Sequence, residues 1–101
     1  MHRFKTPIDY LELTRQIVLK HIDDKKYEVF LFGSRAFGNA KPYSDIDVGV
    51  MSDSKLSSIT IANIETELEE SIVPYKVEIV DFSRVDSNFK HYALTKIVKW
   101  N

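Results

Sequence analysis

The sequence predicts an α/β (α+β) fold in which a small mixed β-sheet is flanked by helices. Three observations support this class. The chain has 101 residues, 44% of them hydrophobic, which suits a single domain with one core over residues 1–101. Stretches with helical spacing of apolar residues alternate with short runs of aromatic and branched residues. No repeat, low-complexity segment or linker divides the sequence.

The first predicted element is a helix over residues 6–21. Thr6 followed by Pro7 is typical of an N-cap and a first helical position. Asp9 then lies in the first turn, where a carboxylate suits the exposed amides and the positive end of the helix dipole. The charged residues 23–26 predict a solvated loop after the helix. The apolar stripe of the helix consists of Ile8, Leu11, Leu13, Ile17, Val18 and Ile22.

The middle of the chain predicts two strands separated by a loop. Residues 27–32 are aromatic and branched and end at a glycine, which indicates a strand. Residues 33–43 contain glycine and proline, with room for a short helical turn at residues 35–37. Residues 44–51 then predict the second strand.

The second half of the chain predicts a helix, a strand and a final helix. Residues 59–72 have helical apolar spacing, and Pro74 ends that helix. Residues 75–82 predict the third strand. Residues 88–100 predict a short helix with aromatic residues available for packing.

Charge, cysteine content and hydropathy exclude several classes of protein. Lys and Arg number 14 and Asp and Glu number 15, a formal net charge of -1, which argues against nucleic acid as the main partner. The absence of cysteine excludes disulfides, cysteine-based zinc sites and thiol catalysis. No apolar run approaches the roughly 20 residues that span a bilayer, and the N-terminus lacks a signal-type apolar region. A cytoplasmic protein without membrane contact is therefore expected.

Two acids in the second predicted strand are candidates for metal binding. Residues two apart in a strand share a face, so Asp45 and Asp47 project together, roughly 6–7 Å apart. Their repulsion would be relieved by a divalent cation, and oxygen-only ligands suit Mg²⁺ or Mn²⁺. Gly49 follows on the same face and is expected to leave space for a ligand. The opposite, apolar face consists of Ile46, Val48 and Val50.

The turn after the first strand is a candidate phosphate site. Gly33 permits close backbone approach, the turn amides and the Ser34 hydroxyl can donate to phosphate oxygens, and Arg35 adds positive charge. Taken separately, this turn and the Asp-x-Asp tripeptide have ordinary structural explanations. Together, a phosphate-binding turn and an acid pair joined by one loop indicate a nucleoside triphosphate site.

This stretch resembles the polymerase-β-like nucleotidyltransferase superfamily. The similarity lies in Gly33-Ser34, ten further residues, and then Asp45-Ile46-Asp47, and residues 35–38 look like the minimal (MNT-type) branch. The resemblance implies a nucleotidyltransferase fold and an EC 2.7.7-type enzyme. Such an enzyme moves a nucleoside monophosphate, here AMP from ATP, to an acceptor with two Mg²⁺ ions, or Mn²⁺, bound. Asp45 and Asp47 would be catalytic metal ligands, while Gly33, Ser34 and Arg35 would bind the triphosphate.

The family also uses a third acid on a neighbouring strand, for which two residues compete. Glu78 and Asp81 lie in the third predicted strand and point to opposite faces, so only one can join the aspartates. Glu78 is mid-strand, where a charge is costly without a partner, and its position matches the family pattern better. Glu78 is therefore predicted to be the third catalytic and metal-binding acid, although the family often has Asp there. Asp81 stays the alternative.

The resemblance also implies a partner. The minimal branch is typically encoded beside an all-helical HEPN-type protein, and the acceptor-binding part is therefore expected in a second chain. The most specific expectation is an antitoxin that transfers AMP to this partner. Two alternatives stay open: a catalytic subunit for a small acceptor held by a helical partner, and a non-catalytic module that masks a toxin by binding. A homo-oligomer also stays open.

Overall fold

The computed structural model describes residues 8–101, in which helices and strands alternate as the sequence predicts. The helices of this part are α1 (Tyr10–His21), α2 (Ser34–Phe37), α3 (Ser58–Glu70) and α4 (Ser87–Ala93). Its strands are β1 (Glu28–Phe32), β2 (Ile46–Met51), β3 (Val77–Asp81) and β4 (Val98–Lys99). None of the helices in residues 8–101 is long and apolar enough to cross a bilayer.

The strands form one mixed sheet in the order β3-β2-β1-β4. β1 pairs antiparallel with both β2 and β4, while β2 and β3 are parallel. Parallel neighbours need a crossover connection, which α3 supplies. The predicted class, a small mixed sheet with flanking helices, is confirmed.

The beginning of α1 differs from the prediction. Asp9 has extended backbone angles and is itself the N-cap, because its Oδ1 accepts a hydrogen bond of 3.0 Å from the Glu12 N–H. The predicted cap at Thr6 and Pro7 lies outside the described residues. Asp9 was predicted to lie in the first turn, but it is the residue that caps the helix. Its carboxylate still interacts favourably with the helix amides, as predicted.

The second strand begins at Ile46, two residues later than predicted, so Asp45 lies just before it. The backbone of Ser44 explains this start. Its N–H donates to the Lys41 carbonyl at 3.0 Å, and its carbonyl oxygen accepts from Arg35. These local partners replace the ladder hydrogen bonds that would extend the strand.

The predicted final helix over residues 88–100 is wrong beyond Ala93. The Thr95 hydroxyl donates to the Tyr92 carbonyl at 2.7 Å at the end of α4, and such bonds compete with helix continuation. Val98 and Lys99 then form β4, and the Trp100 N–H continues the pairing with the Val29 carbonyl at 2.9 Å.

The sheet has two different faces. Side chains on the face that α1 and α3 cover, here called the helix-covered face, form the larger hydrophobic cluster. The opposite face, here called the cleft face, carries a smaller cluster under α4, made of Phe30, Phe32, Phe82 and Ala93. The predicted apolar side of β2 is confirmed as part of the helix-covered face, since Ile46, Val48 and Val50 are buried there.

Candidate active site

Two acids meet side by side on the cleft face. Asp47 of β2 and Glu78 of β3 are direct partners in the parallel register. Side chains of register partners project from the same face of a sheet, and both residues line one cleft of about 670 Å³. Asp47 is half-buried and Glu78 is exposed at this cleft. The sequence prediction therefore names two acids that the fold does bring together.

Gly33 lies directly against Asp47. It is the N-cap of α2 with φ +76°, a conformation that other residues rarely adopt. A Cβ at this position would overlap the Asp47 Oδ2 and lie 3.2 Å from its Cγ. Glycine is thus required by both backbone conformation and close approach. The Ala36 and Phe37 amides of α2 donate to the Gly33 carbonyl at 3.0 and 2.9 Å, so the Ser34 and Arg35 amides are the ones left without an intrahelical acceptor beside the acid pair.

Asp45 has a different setting from the one predicted. It lies outside β2, in coil, and its side chain is exposed. The peptide groups on both sides of it are nevertheless fixed, because the Ser44 carbonyl accepts from Arg35 and the Ile46 N–H donates to the Lys76 carbonyl at 2.9 Å. Asp45 is near enough to Asp47 for its charge to act on it.

The electrostatics of Asp47 reflect a concentration of negative charge. Burial is the largest influence that raises the pKa of Asp47 above its ordinary value of 3.8. The charges of Glu78 and Asp45 raise this pKa further, and Arg35 acts in the opposite direction. The cleft therefore concentrates acids that a bound cation would stabilise.

The donor set fits a hard divalent cation bound together with phosphate. Within residues 8–101, no three Asp, Glu or His side chains form a ready-made metal site. Mg²⁺, however, commonly uses only one or two protein carboxylates and completes its shell with phosphate oxygens and water. The paired carboxylates of Asp47 and Glu78 meet that requirement, and the nearby charge of Asp45 adds to it.

Asp81, the alternative third acid, lies on the helix-covered face and is fully engaged there. It is buried, and its oxygens accept from the Leu56 N–H at 2.9 Å, the Ser83 N–H at 2.9 Å and the Ser83 hydroxyl at 2.7 Å. Arg84 Nε lies 3.3 Å from its Oδ2. Burial alone would raise the pKa of Asp81, but these hydrogen bonds outweigh it and lower the pKa. Asp81 thus joins the turn after β3 to the segment before α3.

Arg35 points to protein partners in this structure. Its Nε and Nη2 donate to the Ser44 carbonyl oxygen at 3.1 and 2.7 Å. Its guanidinium carbon lies 4.7 Å from the ring centroid of Tyr75. Ser34 is the first residue of α2, directly after Gly33. The phosphate-binding roles of Ser34 and Arg35 stay predictions.

Gly49 does not leave space for a ligand, contrary to expectation. A Cβ there would overlap the Phe30 ring and lie 2.8 Å from the Phe82 Cε1. These two rings pack edge to face, with centroids 5.0 Å apart. The absent side chain of Gly49 therefore accommodates the aromatic cluster next to the acids.

The sequence reasoning missed the aromatic wall of the cleft. Phe37 from α2 and Tyr92 from α4 have ring centroids 5.6 Å apart, and Phe89 lines the same cleft. The spacing of Phe89 and Tyr92 indicated one face of a helix, but nothing in the sequence connected that face with the loop residue Phe37. The cleft thus has an acidic end and an aromatic end.

Fold and site together define a nucleotidyltransferase-type α/β domain, with a glycine turn and paired carboxylates at one end of a mixed sheet. The chain belongs to the family described as "Polymerase beta, Nucleotidyltransferase", whose model matches residues 19–99. The family resemblance expected from the sequence is confirmed. The chain is also 30% identical over 80 residues to "Probable protein adenylyltransferase MntA" of Haemophilus influenzae, covering 79% of this chain and 68% of that protein.

Solved structures show the same fold. A toxin–antitoxin crystal structure with AMP-PNP contains a chain that matches with a TM-score of 0.71 at 20% identity, covering 93% of this chain and 73% of that one. A structure of the tri-AMPylated Shewanella oneidensis HEPN toxin in complex with MNT antitoxin contains a chain that matches with a TM-score of 0.61 at 22% identity, covering 89% of this chain and 71% of that one. The predicted nucleotidyltransferase fold is therefore confirmed.

Proposed function

We propose that the chain is an antitoxin that transfers AMP from ATP onto a HEPN-type helical protein in a Mg²⁺-dependent reaction. The observation that carries this proposal is the register pairing of Asp47 with Glu78 beside Gly33, at the acidic end of the cleft. The relative from Haemophilus influenzae supports a protein acceptor, since its name is that of a protein adenylyltransferase. The tri-AMPylated HEPN toxin bound to MNT antitoxin supports the partner class.

The acids would hold the metal and the turn would hold the phosphates. Asp45, Asp47 and Glu78 are the proposed ligands of Mg²⁺, for which Mn²⁺ could substitute. Bound metal would supply positive charge for the triphosphate and the leaving group. The Ser34 hydroxyl and the first amides of α2, which begin beside Asp47, would donate hydrogen bonds to the phosphate oxygens.

The proposed reaction is a displacement at the α-phosphorus of ATP. An acceptor hydroxyl oxygen forms a bond to this phosphorus while the bond to the bridging oxygen breaks. Pyrophosphate leaves with the bridging oxygen and its electron pair, and the hydroxyl proton passes to solvent. The residues of the cleft contribute by positioning the reactants and by their electrostatic interactions with them.

The direct test is mass spectrometry of a HEPN-type protein encoded next to this chain. After incubation with this chain, ATP and Mg²⁺, the partner is expected to gain the mass of one or more AMP groups. Asp47→Asn is expected to lower the transfer rate by about 1000-fold or more, because several kcal/mol of metal-dependent stabilisation are lost. EDTA is expected to stop the reaction.

The same experiment separates this proposal from its alternatives. Neutralisation of the partner without a mass gain, equally strong in Asp47→Asn, would contradict catalysis and support a masking module. A complex that adenylylates only an added small hydroxyl compound would support the small-acceptor alternative. Urea unfolding of Asp47→Asn is the control, with a free energy of unfolding expected to be equal to or above that of the wild type. Removal of one charge from a like-charged pair relieves repulsion.

A further inference from the structure

The acid-bearing loop before β2 has few anchors. Residues 38–43 are exposed, and the loop closes locally where the Lys41 N–H donates to the Ser44 Oγ at 2.8 Å. The Ser44 N–H returns a bond of 3.0 Å to the Lys41 carbonyl. Asp45 follows this turn immediately, without the ladder hydrogen bonds of a strand residue. The position of Asp45 therefore depends on the contacts that hold the two peptide groups on either side of it.

Arg35 fixes the first of these peptide groups. Two of its donors, Nε and Nη2, converge on the Ser44 carbonyl oxygen, which belongs to the peptide that joins Ser44 to Asp45. The planar fork of a guanidinium allows this double contact, whereas a lysine ammonium is a single flexible point charge. Arg35 lies in α2, directly after the turn at Gly33, so the contact also joins this turn to the acid-bearing loop.

The segment before β3 supports both peptide groups. The Tyr75 ring lies under the Arg35 guanidinium, at 4.7 Å from centroid to carbon, a cation–π contact. The Tyr75 ring in turn meets the Tyr10 ring edge to face, with centroids 5.9 Å apart. The next residue, Lys76, accepts the Ile46 N–H at 2.9 Å through its carbonyl. One short segment thus supports the peptides on both sides of Asp45.

We propose that Arg35, seated on Tyr75, is a positioning residue that holds the Ser44–Asp45 peptide and so presents Asp45 to the cation and nucleotide. This role differs from the phosphate-ligand role that the sequence predicts for Arg35. The proposal rests on the proposed function for its catalytic consequence. The contact itself is a property of the free protein and can be tested without activity.

The test compares Arg35→Lys and Tyr75→Leu with the wild type in the full chain. Arg35→Lys keeps the positive charge but loses the forked contact, and Tyr75→Leu removes the ring beneath it. In the absence of metal and nucleotide, amide hydrogen exchange at Ser44 and Ile46 is expected to accelerate about 10-fold in both variants. With ATP, Mg²⁺ and the HEPN-type protein, kcat is expected to fall about 10- to 100-fold while KM for ATP changes less than about threefold.

Two controls isolate the contact. Arg15→Lys changes an arginine that does not line the cleft and whose Nε alone donates to a carbonyl, that of Trp100, at 2.9 Å. It is expected to leave exchange at Ser44 and Ile46, kcat and KM unchanged. Tyr75→Phe keeps the ring face and is expected to keep the protection of both amides.

Three outcomes would overturn the proposal. Unchanged exchange with a tenfold or larger rise in KM for ATP in Arg35→Lys, but not in Tyr75→Leu, would make Arg35 a phosphate ligand. Faster exchange with unchanged kcat would make the contact merely structural. Unchanged exchange and unchanged kinetics would show that the contact does not hold Asp45. Absence of transfer by the wild type would instead count against the proposed function, while the exchange data would still decide whether the contact holds this loop.

Discussion

The two faces of the sheet use the same three long strands for opposite purposes. The helix-covered face is closed by α1 and α3, and its branched side chains, such as Val48 and Val50, are almost fully buried. The cleft face is only partly covered, by α4 and an aromatic cluster, and beside that cluster it carries Asp47 and Glu78. Hydrophobic burial thus occupies one face and leaves part of the other for charged groups.

The two acids of β3 lie on opposite faces and have opposite surroundings. Asp81 faces the covered side, where four hydrogen-bond donors meet it, so burial of its charge is compensated. Glu78 faces the cleft, where its register partner is another acid. Charge that is paired inside the protein is structural, whereas charge that faces like charge at a cleft is available for a ligand.

The largest effect on stability is expected from the helix-covered face. Ile64 of α3 is fully buried, and Ile64→Ala should lower the free energy of unfolding by about 2–5 kcal/mol, since it removes buried methyl groups and leaves a cavity. Ile59→Ala on the same helix is the matched control, because this side chain is 71% exposed, and it should change the free energy of unfolding by less than about 0.5 kcal/mol. Urea unfolding measures both. Equal losses of the free energy of unfolding in the two variants would contradict a closed core around Ile64. A loss of AMP transfer per folded molecule in Ile64→Ala would contradict the assignment of structure and catalysis to separate faces.

A smaller effect is expected where the cleft face is packed. Gly49→Ala should lower the free energy of unfolding by about 1–3 kcal/mol, because the added methyl group overlaps the Phe30 and Phe82 rings. The double variant with Phe30→Leu should cost less than the sum of the two single variants, since the smaller side chain relieves the overlap. A neutral Gly49→Ala would mean that the space above Gly49 is open, as the sequence alone suggested.

Much of the fold follows from local pattern. Strand alternation identified the buried side of β2, and the spacing of apolar residues identified α1 and α3 within a few residues. The end of the chain was missed because the apolar residues in 88–100 have helix-compatible spacing, although residues 97 and 98 are branched. Pairing with β1, which is distant in sequence, decides in favour of β4.

The site was predictable to the extent that it depends on short spacing. The turn at Gly33 and the acids at positions 45 and 47 are visible as a motif, and the opposite orientations of Glu78 and Asp81 follow from strand alternation. The contact of Arg35 with Ser44 and Tyr75 was not predictable, since it depends on three segments meeting in space. Nor could the sequence show that the Gly49 position is filled by the ring of Phe30 in β1 and the ring of Phe82, the residue after β3.

If the cleft face is catalytic and the helix-covered face structural, removing the charges of the two acids of β3 should have different effects. Glu78→Gln and Asp81→Asn each remove one charge from β3 and can be compared in the same transfer assay and the same urea titration. We expect Glu78→Gln to lower transfer about 100-fold or more and to change the free energy of unfolding by less than about 1 kcal/mol. We expect Asp81→Asn to lower that free energy by about 1–3 kcal/mol, with transfer per folded molecule retained. The reverse pattern, with transfer lost in Asp81→Asn and kept in Glu78→Gln, would contradict the account.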